Sequence, residues 1–302
     1  LSKGMTLKWA AIDFPFGGGK AVLAVPRPLE AEARQGLLTR FGELVESLGG
    51  SYGTGVDLGT SPGDMDVVAA RTQRVFGRTA DHGGAGDPGP WTALGVYAGV
   101  IATCEHVWGA PSVTGRRVLV QGVGGVGRPL ARRLHEDGAQ LLLTDAIIMR
   151  AEALAQELDA TVVEPEATYD TPCDIFAPCA IGGILNERSI PRLGCRVVSG
   201  SANNQLERDA DADLLHERGI LYAPDFVINA GGAIAHGALE VLQWTPTQAA
   251  ERVRRVGDTL SEILAEARNR NESPLHEAIR RAQRVLASAR ATKANVIAPQ
   301  PV

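Results

Sequence analysis

The stretch VLVQGVGGVGRPLARRLHEDGAQLLLTD, residues 118–145, decides the fold. An apolar run, Val118 to Val120, reads as a buried strand. It leads into Gly122, Gly124 and Gly127 in G-x-G-x-x-G spacing, and a helical stretch follows through His135. A second apolar strand then ends on Asp145, 18 residues after the last glycine. The glycine spacing alone is a weak signal. A preceding strand, a following helix and an acid closing the next strand complete the pattern of a dinucleotide-binding turn. Gly122 makes the tight turn, Gly124 lets the backbone approach a pyrophosphate, and Gly127 permits close helix–strand contact. The helix entry at Val126 supplies free N–H groups and the positive end of the helix dipole. Asp145 would accept hydrogen bonds from the adenosine ribose and repel a 2′-phosphate. That favours NAD over NADP, although Arg150 is near enough in sequence to leave NADP open. The bland alternative is a glycine turn with no nucleotide.

Working outward, strands and helices alternate downstream of residue 113. CDIFAPC (173–179), RVVSGSA (196–202) and GILYAPDFV (219–227) read as further strands, and 149–158 as a helix. This alternation predicts a doubly wound parallel sheet. After residue 245 the pattern is purely helical. Thr245-Pro246 is a cap followed by proline at the first helical position, and a second helix starts at Ser273-Pro274 and runs to about 290. Upstream, AVLAV (21–25) reads as a buried strand, and the chain reads as entering strand almost at once. Residues 29–48 carry helical periodicity closed by Gly49-Gly50, 80–90 is loop, and 91–109 is a long helix joining two domains. The prediction is an α/β protein of two domains, an N-terminal α/β substrate and oligomerisation domain (1–110) and a Rossmann-type domain (111–245). The C-terminal helices (246–302) are expected to pack back across the cleft.

The bulk composition excludes several classes. The 302 residues are 44% hydrophobic and 22% charged, with a net charge of −5 and no basic block, which argues against a nucleic-acid partner. The longest apolar candidate, Trp91 to Cys104, has 14 residues, short of the roughly 20 that a membrane helix needs. Cys104, Cys173, Cys179 and Cys195 lack metal-ligand spacing, so we expect no metal and reduced thiols in a cytoplasmic protein. The chain starts with Leu1, which reads as a trimmed, processed or omitted start.

The second distinctive stretch is FPFGGGKAV, residues 14–22. It is not a Walker loop, which needs Ser or Thr after the lysine. Lys20 is followed by Ala21 and Val22. Together with GMTLKWA (4–10), PGDMD (62–66), PWTALGVYAGV (90–100), GVGGVG (122–127), GSANNQL (200–206) and YAPDFVINAGG (222–232), it resembles the Glu/Leu/Phe/Val dehydrogenase family. The motifs occur in the family's order over roughly residues 4–240, and the GDMD and VINAGG forms look most like the leucine/valine/phenylalanine/tryptophan branch. Three features depart from that branch. Phe14 and Phe16 make the approach to the glycines more aromatic, AIAHGALEVL (233–242) lacks the usual acidic run, and the family's sizeable N-terminal segment is missing.

The resemblance implies that Lys20 is catalytic and that Lys8 holds the substrate α-carboxylate. Deamination needs a base near neutral pH, and burial or a neighbouring cation such as Lys8 would lower the lysine toward it. Asp64 would pass protons to and from the substrate nitrogen, with Asp66 structural. Thr92 would contact the nicotinamide or merely cap the long helix. Asn204 would face the cofactor and Asn229 would lie near nicotinamide and substrate, unless either is a turn residue. His236 is read as a satisfied helix histidine. The implied activity is reversible NAD-dependent oxidative deamination of an apolar, branched-chain or aromatic L-amino acid to its 2-oxo acid and ammonia, by a homo-oligomer of two or more subunits. The rivals are an NADP- or glutamate-using relative and a non-catalytic nucleotide-binding regulator.

Overall fold

The computed structural model describes residues 1–25 and 27–297, with side chains up to residue 291. The chain opens with helix α1 (Ser2–Ala11), where strand was expected, and continues with α2 (Ala31–Ser47), β1 (Thr54–Gly55), α3 (Pro62–Ala69) and β2 (Val75–Phe76). Gly49 and Gly50 end α2 at φ 58° and 91°, left-handed backbone that glycine adopts without Cβ strain. Ser61 opens α3 with a capping box closed by Asp64, and Pro62 stands at the first helical position. β1 and β2 pair in parallel, and Leu38, Phe41, Val45, Met65, Val68 and Val75 form the core beneath them. Residues 21–25 correct the expectation of a buried strand. They belong to no strand, and Val22 is 71% exposed. Apolar composition does not make a strand unless a neighbour takes its N–H and C=O groups, and no described strand runs beside this one.

Helix α4 (Gly89–Trp108) crosses to the larger unit. There β3 (Arg117–Gln121), α5 (Gly127–Glu136), β4 (Gln140–Thr144), α6 (Ile148–Leu158), β5 (Thr161–Val162), β6 (Ile175–Pro178), β7 (Val197–Val198), α7 (Asp211–Glu217) and β8 (Leu221–Tyr222) follow in order. The sheet order is β5-β4-β3-β6-β7-β8, and every pairing is parallel. Strand order reverses between β3 and β6, so a ligand crevice opens at their carboxyl ends. Val118, Leu119 and Val120 are at most 1% exposed, as a strand covered on both faces requires.

Beyond Tyr222 the expected strand stops. Pro224 cannot donate to a ladder, and the Asp225 carboxylate accepts the Phe226 N–H, opening α8 (Asp225–Ile228) instead. Helix α9 (Gly231–His236), a π-turn (Gly237–Val241), α10 (Pro246–Arg254), α11 (Val256–Arg270) and α12 (Pro274–Ile297) complete the described chain. Thr245 and Gln248 close a capping box at α10. Trp9, Ala10 and Ile12 of the first segment share one apolar core with Val253, Leu260 and Ala278, so the C-terminal helices do return over the start of the chain. Close packing of α4 on α8 rests on Gly99, where a Cβ would stand 2.7 Å from Ile228.

Candidate active site

The glycine turn has the geometry its sequence predicts. Gly122 sits at φ 89°, and its N–H donates to the Thr144 carbonyl at 2.7 Å. A Cβ on Gly127 would collide with the Gly122 carbonyl, whereas a Cβ on Gly124 or Gly125 would meet nothing within 4 Å. The last two therefore leave an open cradle before Val126, the residue at the mouth of α5. A cavity of about 360 Å³ lies against this cradle, with Arg128, Arg132 and Arg150 in its wall. Asp145 is buried. Its carboxylate accepts the N–H of Val123 and that of Ile147, each at 2.9 Å, and so ties the glycine turn to the end of β4. An open backbone cradle at a helix N-terminus fits a dinucleotide pyrophosphate.

Across the crevice a second cluster forms around Lys8. Lys8 is 8% exposed, and its ammonium donates to Asn203 Oδ1 at 3.4 Å. Burial lowers it from 10.5 to about 8. The Asp225 carboxylate opposes that shift and the Lys20 cation adds to it. A buried ammonium with three donors and one long hydrogen bond is arranged to receive an anion. Asn203 also accepts from Asn229 Nδ2 at 2.8 Å, and Asn229 Nδ2 donates to the Ser201 carbonyl at 3.1 Å. Asn229 Oδ1 is buried without a hydrogen-bond partner, an acceptor open to a donor on a bound molecule. Asn204, by contrast, is exposed and turns the chain in left-handed backbone at φ 51°. Its neighbour Asn203, which sequence reasoning missed, is the one that bridges Lys8 and Asn229. Thr92 does not cap α4. Its hydroxyl donates to the Pro88 carbonyl, and the bare Cα of Gly232 packs against it beside Asn229.

The Lys20 cation acts on Lys8 through space, and its ammonium donates to Asp57 in a direct ion pair. Partial burial lowers it from the ordinary lysine value. This corrects the expectation for Asp64. The Asp64 carboxylate receives Arg34 Nε at 2.9 Å and Nη2 at 2.8 Å, together with the Ser61 N–H at 2.7 Å and the Ser61 hydroxyl at 2.8 Å. The guanidinium, with Ser61, holds it down to about 2. A carboxylate so fully engaged is a poor proton carrier. Asp64 starts a helix, and Asp57 is the acid at the lysine. One signal in the sequence could have found it: an acid just past the end of a strand, in the turn GVDLGT, where its N–H is held by Thr60 Oγ1 at 2.9 Å. Asp66 accepts from the Thr79 N–H at 3.1 Å and the Thr79 hydroxyl at 2.8 Å, a structural contact. Among the described residues, no group of three or more His, Cys, Asp or Glu could hold a metal ion, and no helix is long and apolar enough to cross a membrane.

Comparison with known proteins gives the family and the fold. The family model Glutamate/Leucine/Phenylalanine/Valine dehydrogenase matches residues 145–295. Leucine dehydrogenase of Geobacillus stearothermophilus is 42% identical over 275 residues, covering 90% of this chain and 73% of that protein. L-tryptophan dehydrogenase of Nostoc punctiforme is 39% identical over 299 residues, covering 99% and 83%. The crystal structure of L-tryptophan dehydrogenase from Nostoc punctiforme superposes with a TM-score of 0.81 at 38% identity, over 96% of this chain and 83% of that one. A hetero-hexameric glutamate dehydrogenase from Thermus thermophilus, at 24% identity and a TM-score of 0.78, shares the fold.

Proposed function

Because the chain belongs to the Glu/Leu/Phe/Val dehydrogenase family, we propose that it catalyses the reversible, NAD-dependent oxidative deamination of an apolar, branched-chain or aromatic L-amino acid to its 2-oxo acid and ammonia. The observation that carries the reading is the buried, under-satisfied Lys8, which shares the Asn203 carboxamide oxygen with Asn229 and feels the charge of Lys20, itself paired with Asp57. A nicotinamide coenzyme, held at the glycine turn Gly122–Gly127, would supply the hydride acceptor.

The chain's own residues supply the rest. Lys8 takes the α-carboxylate, and its burial strengthens that pair by excluding water. Hydride loss from Cα leaves an iminium, which water attacks at the same carbon. Lys20, lowered by burial, accepts a proton from that water and later from the carbinolamine hydroxyl. Asp57 receives protons from Lys20 and exchanges them with the departing nitrogen. Asn229 directs its free Oδ1 at the substrate or the carboxamide side of the crevice. Gly122, Gly124, Val126 and Gly127 cradle the pyrophosphate, and Asp145 holds the turn that carries them. We place the enzyme among cytoplasmic homo-oligomers.

A second reading, use of NADP, is favoured by one observation. The Asp145 oxygens already serve two backbone amides, while Arg128, Arg132 and Arg150 line the adjoining cavity. The deciding experiment follows absorbance of the reduced coenzyme with L-leucine, valine, phenylalanine, tryptophan and glutamate, using NAD and then NADP, in wild type and Lys20→Ala. Turnover of an apolar amino acid that vanishes in Lys20→Ala while reduced coenzyme still binds is the expected result. Coenzyme binding without turnover of any amino acid by wild type refutes the activity and leaves a binding protein.

A further inference from the structure

The departure at AIAHGALEVL has a structural counterpart. Helix α9 does not continue as an α-helix but widens into the π-turn Gly237–Val241, closed by the Leu242 N–H on the Gly237 carbonyl at 3.0 Å. Such turns in proteins concentrate at functional sites, because the inserted residue re-aims side chains. Here the re-aimed side chain is Glu240. One of its oxygens, Oε1, accepts the N–H of Gly77 at 2.8 Å and that of Ala85 at 2.9 Å. One turn earlier the buried His236 donates from Nε2 to the Gly86 carbonyl at 3.1 Å, and its ring occupies the space beside Gly77 that a side chain there would need.

These three contacts fall on one segment, residues 77–86, which carries the chain from β2 to α4. Asp66 holds the same segment from the other side through Thr79. The opposite flank of the π-turn is pressed by the run that leads into Lys20. A Cβ on Gly237 would stand 2.7 Å from the Phe16 ring and 3.0 Å from the Phe14 ring. The π-turn therefore touches the run that leads into Lys20 and, at Gly77, the segment packed on Val56 next to Asp57, while the helix it extends begins two residues after Asn229.

We propose that Glu240 and His236 are positioning residues that lock the crossing segment 77–86 onto the nucleotide-binding half and so set the gap between the Lys20–Asp57 pair and Asn229. Two backbone N–H groups converging on one side-chain oxygen make a clasp, and an error of about 1 Å in such a gap can cost about a hundredfold in rate. The catalytic consequence rests on the dehydrogenase reading. The lock itself does not.

The test compares wild type, Glu240→Gln, Glu240→Ala and Glu240→Asp by hydrogen–deuterium exchange of residues 77–86, by kcat and KM for the amino acid, and by binding of reduced coenzyme. Glu240→Gln keeps an oxygen that accepts both N–H groups, so exchange and kcat stay near wild type. Glu240→Ala removes the acceptor, and Glu240→Asp withdraws it by one methylene while keeping the charge, which covers the case that alanine impairs folding. Both should raise exchange in this segment and lower kcat by roughly 10- to 100-fold, with KM and coenzyme affinity little changed. Unchanged exchange in Glu240→Asp overturns the lock, and faster exchange with wild-type kcat overturns its positioning role. Glu240→Gln as impaired as Glu240→Asp would overturn the hydrogen-bond basis. A wild type that turns over no amino acid defeats the dehydrogenase reading alone, and exchange still decides the lock.

Discussion

Replacing Lys8 by methionine should flatten the alkaline limb of the stability profile. In the fold Lys8 loses its proton at about 8, against 10.5 for a free lysine. Between those values the unfolded chain binds more protons than the native one, so stability rises with pH across that window. Below about 8 both states carry the charge and the burial penalty is fully in force. Above 10.5 both are neutral and the penalty is gone. At ~1.4 kcal/mol for each tenfold change, the drop amounts to about 3 kcal/mol, and no exposed-surface discount applies because Lys8 is 8% exposed. Urea unfolding of wild type and Lys8→Met at about pH 7 and about pH 10.5 measures it. Wild type should gain about 3 kcal/mol relative to the variant as the pH rises. Loss of the counter-charge to Asp225 is already contained in that figure, since its attraction helps set the value of about 8. A wild-type-minus-variant difference that stays constant over the window would refute the claim that Lys8 is held desolvated.

Two further substitution pairs separate chemistry from scaffolding. Asp57→Asn should lower kcat by at least ~100-fold, the range for a lost acid–base group, with little change in melting temperature because the Asp57 side chain is half exposed. Asp64→Asn should do the reverse, costing about 1–3 kcal/mol through the lost bidentate Arg34 pair and a weakened helix start, and leaving kcat near wild type. Thermal melts and steady-state kinetics distinguish them, and an active Asp57→Asn would return the proton-carrier role to open question. Gly124→Ala should leave stability unchanged, since its Cβ meets nothing within 4 Å, but weaken coenzyme binding measured by fluorescence titration. Gly127→Ala should destabilise the fold itself by driving a methyl into the Gly122 carbonyl.

What could be read before folding was whatever the chemistry of neighbouring residues decides. The glycine turn from Gly122 to Gly127 requires left-handed backbone at one position and missing side chains at others, and those needs are met within six residues. The caps at Ser61 and Thr245, the end of α2 at Gly49-Gly50 and the alternation that makes a parallel sheet are likewise local. The run at 21–25 failed for the complementary reason. Its apolar residues carried no information about whether a partner strand would stand beside them.

The residues of the crevice depend on distances along the chain that no periodicity records. Lys8 meets Asn203 across 195 residues, and Glu240 reaches Gly77 across 163. The choice between Asp57 and Asp64 shows the limit most directly. The two acids lie seven residues apart, one in the turn after β1 and one in the first turn of α3, and that spacing does not say which one faces Lys20. Packing of α2 places Arg34 on Asp64, and the turn after β1 carries Asp57 to the lysine. The sequence by itself determined the glycine turn and the alternating α/β scaffold, because backbone geometry is a short-range property. Only the tertiary structure decided which side chains share the crevice, because burial and pairing of charge are set by what the rest of the chain brings alongside.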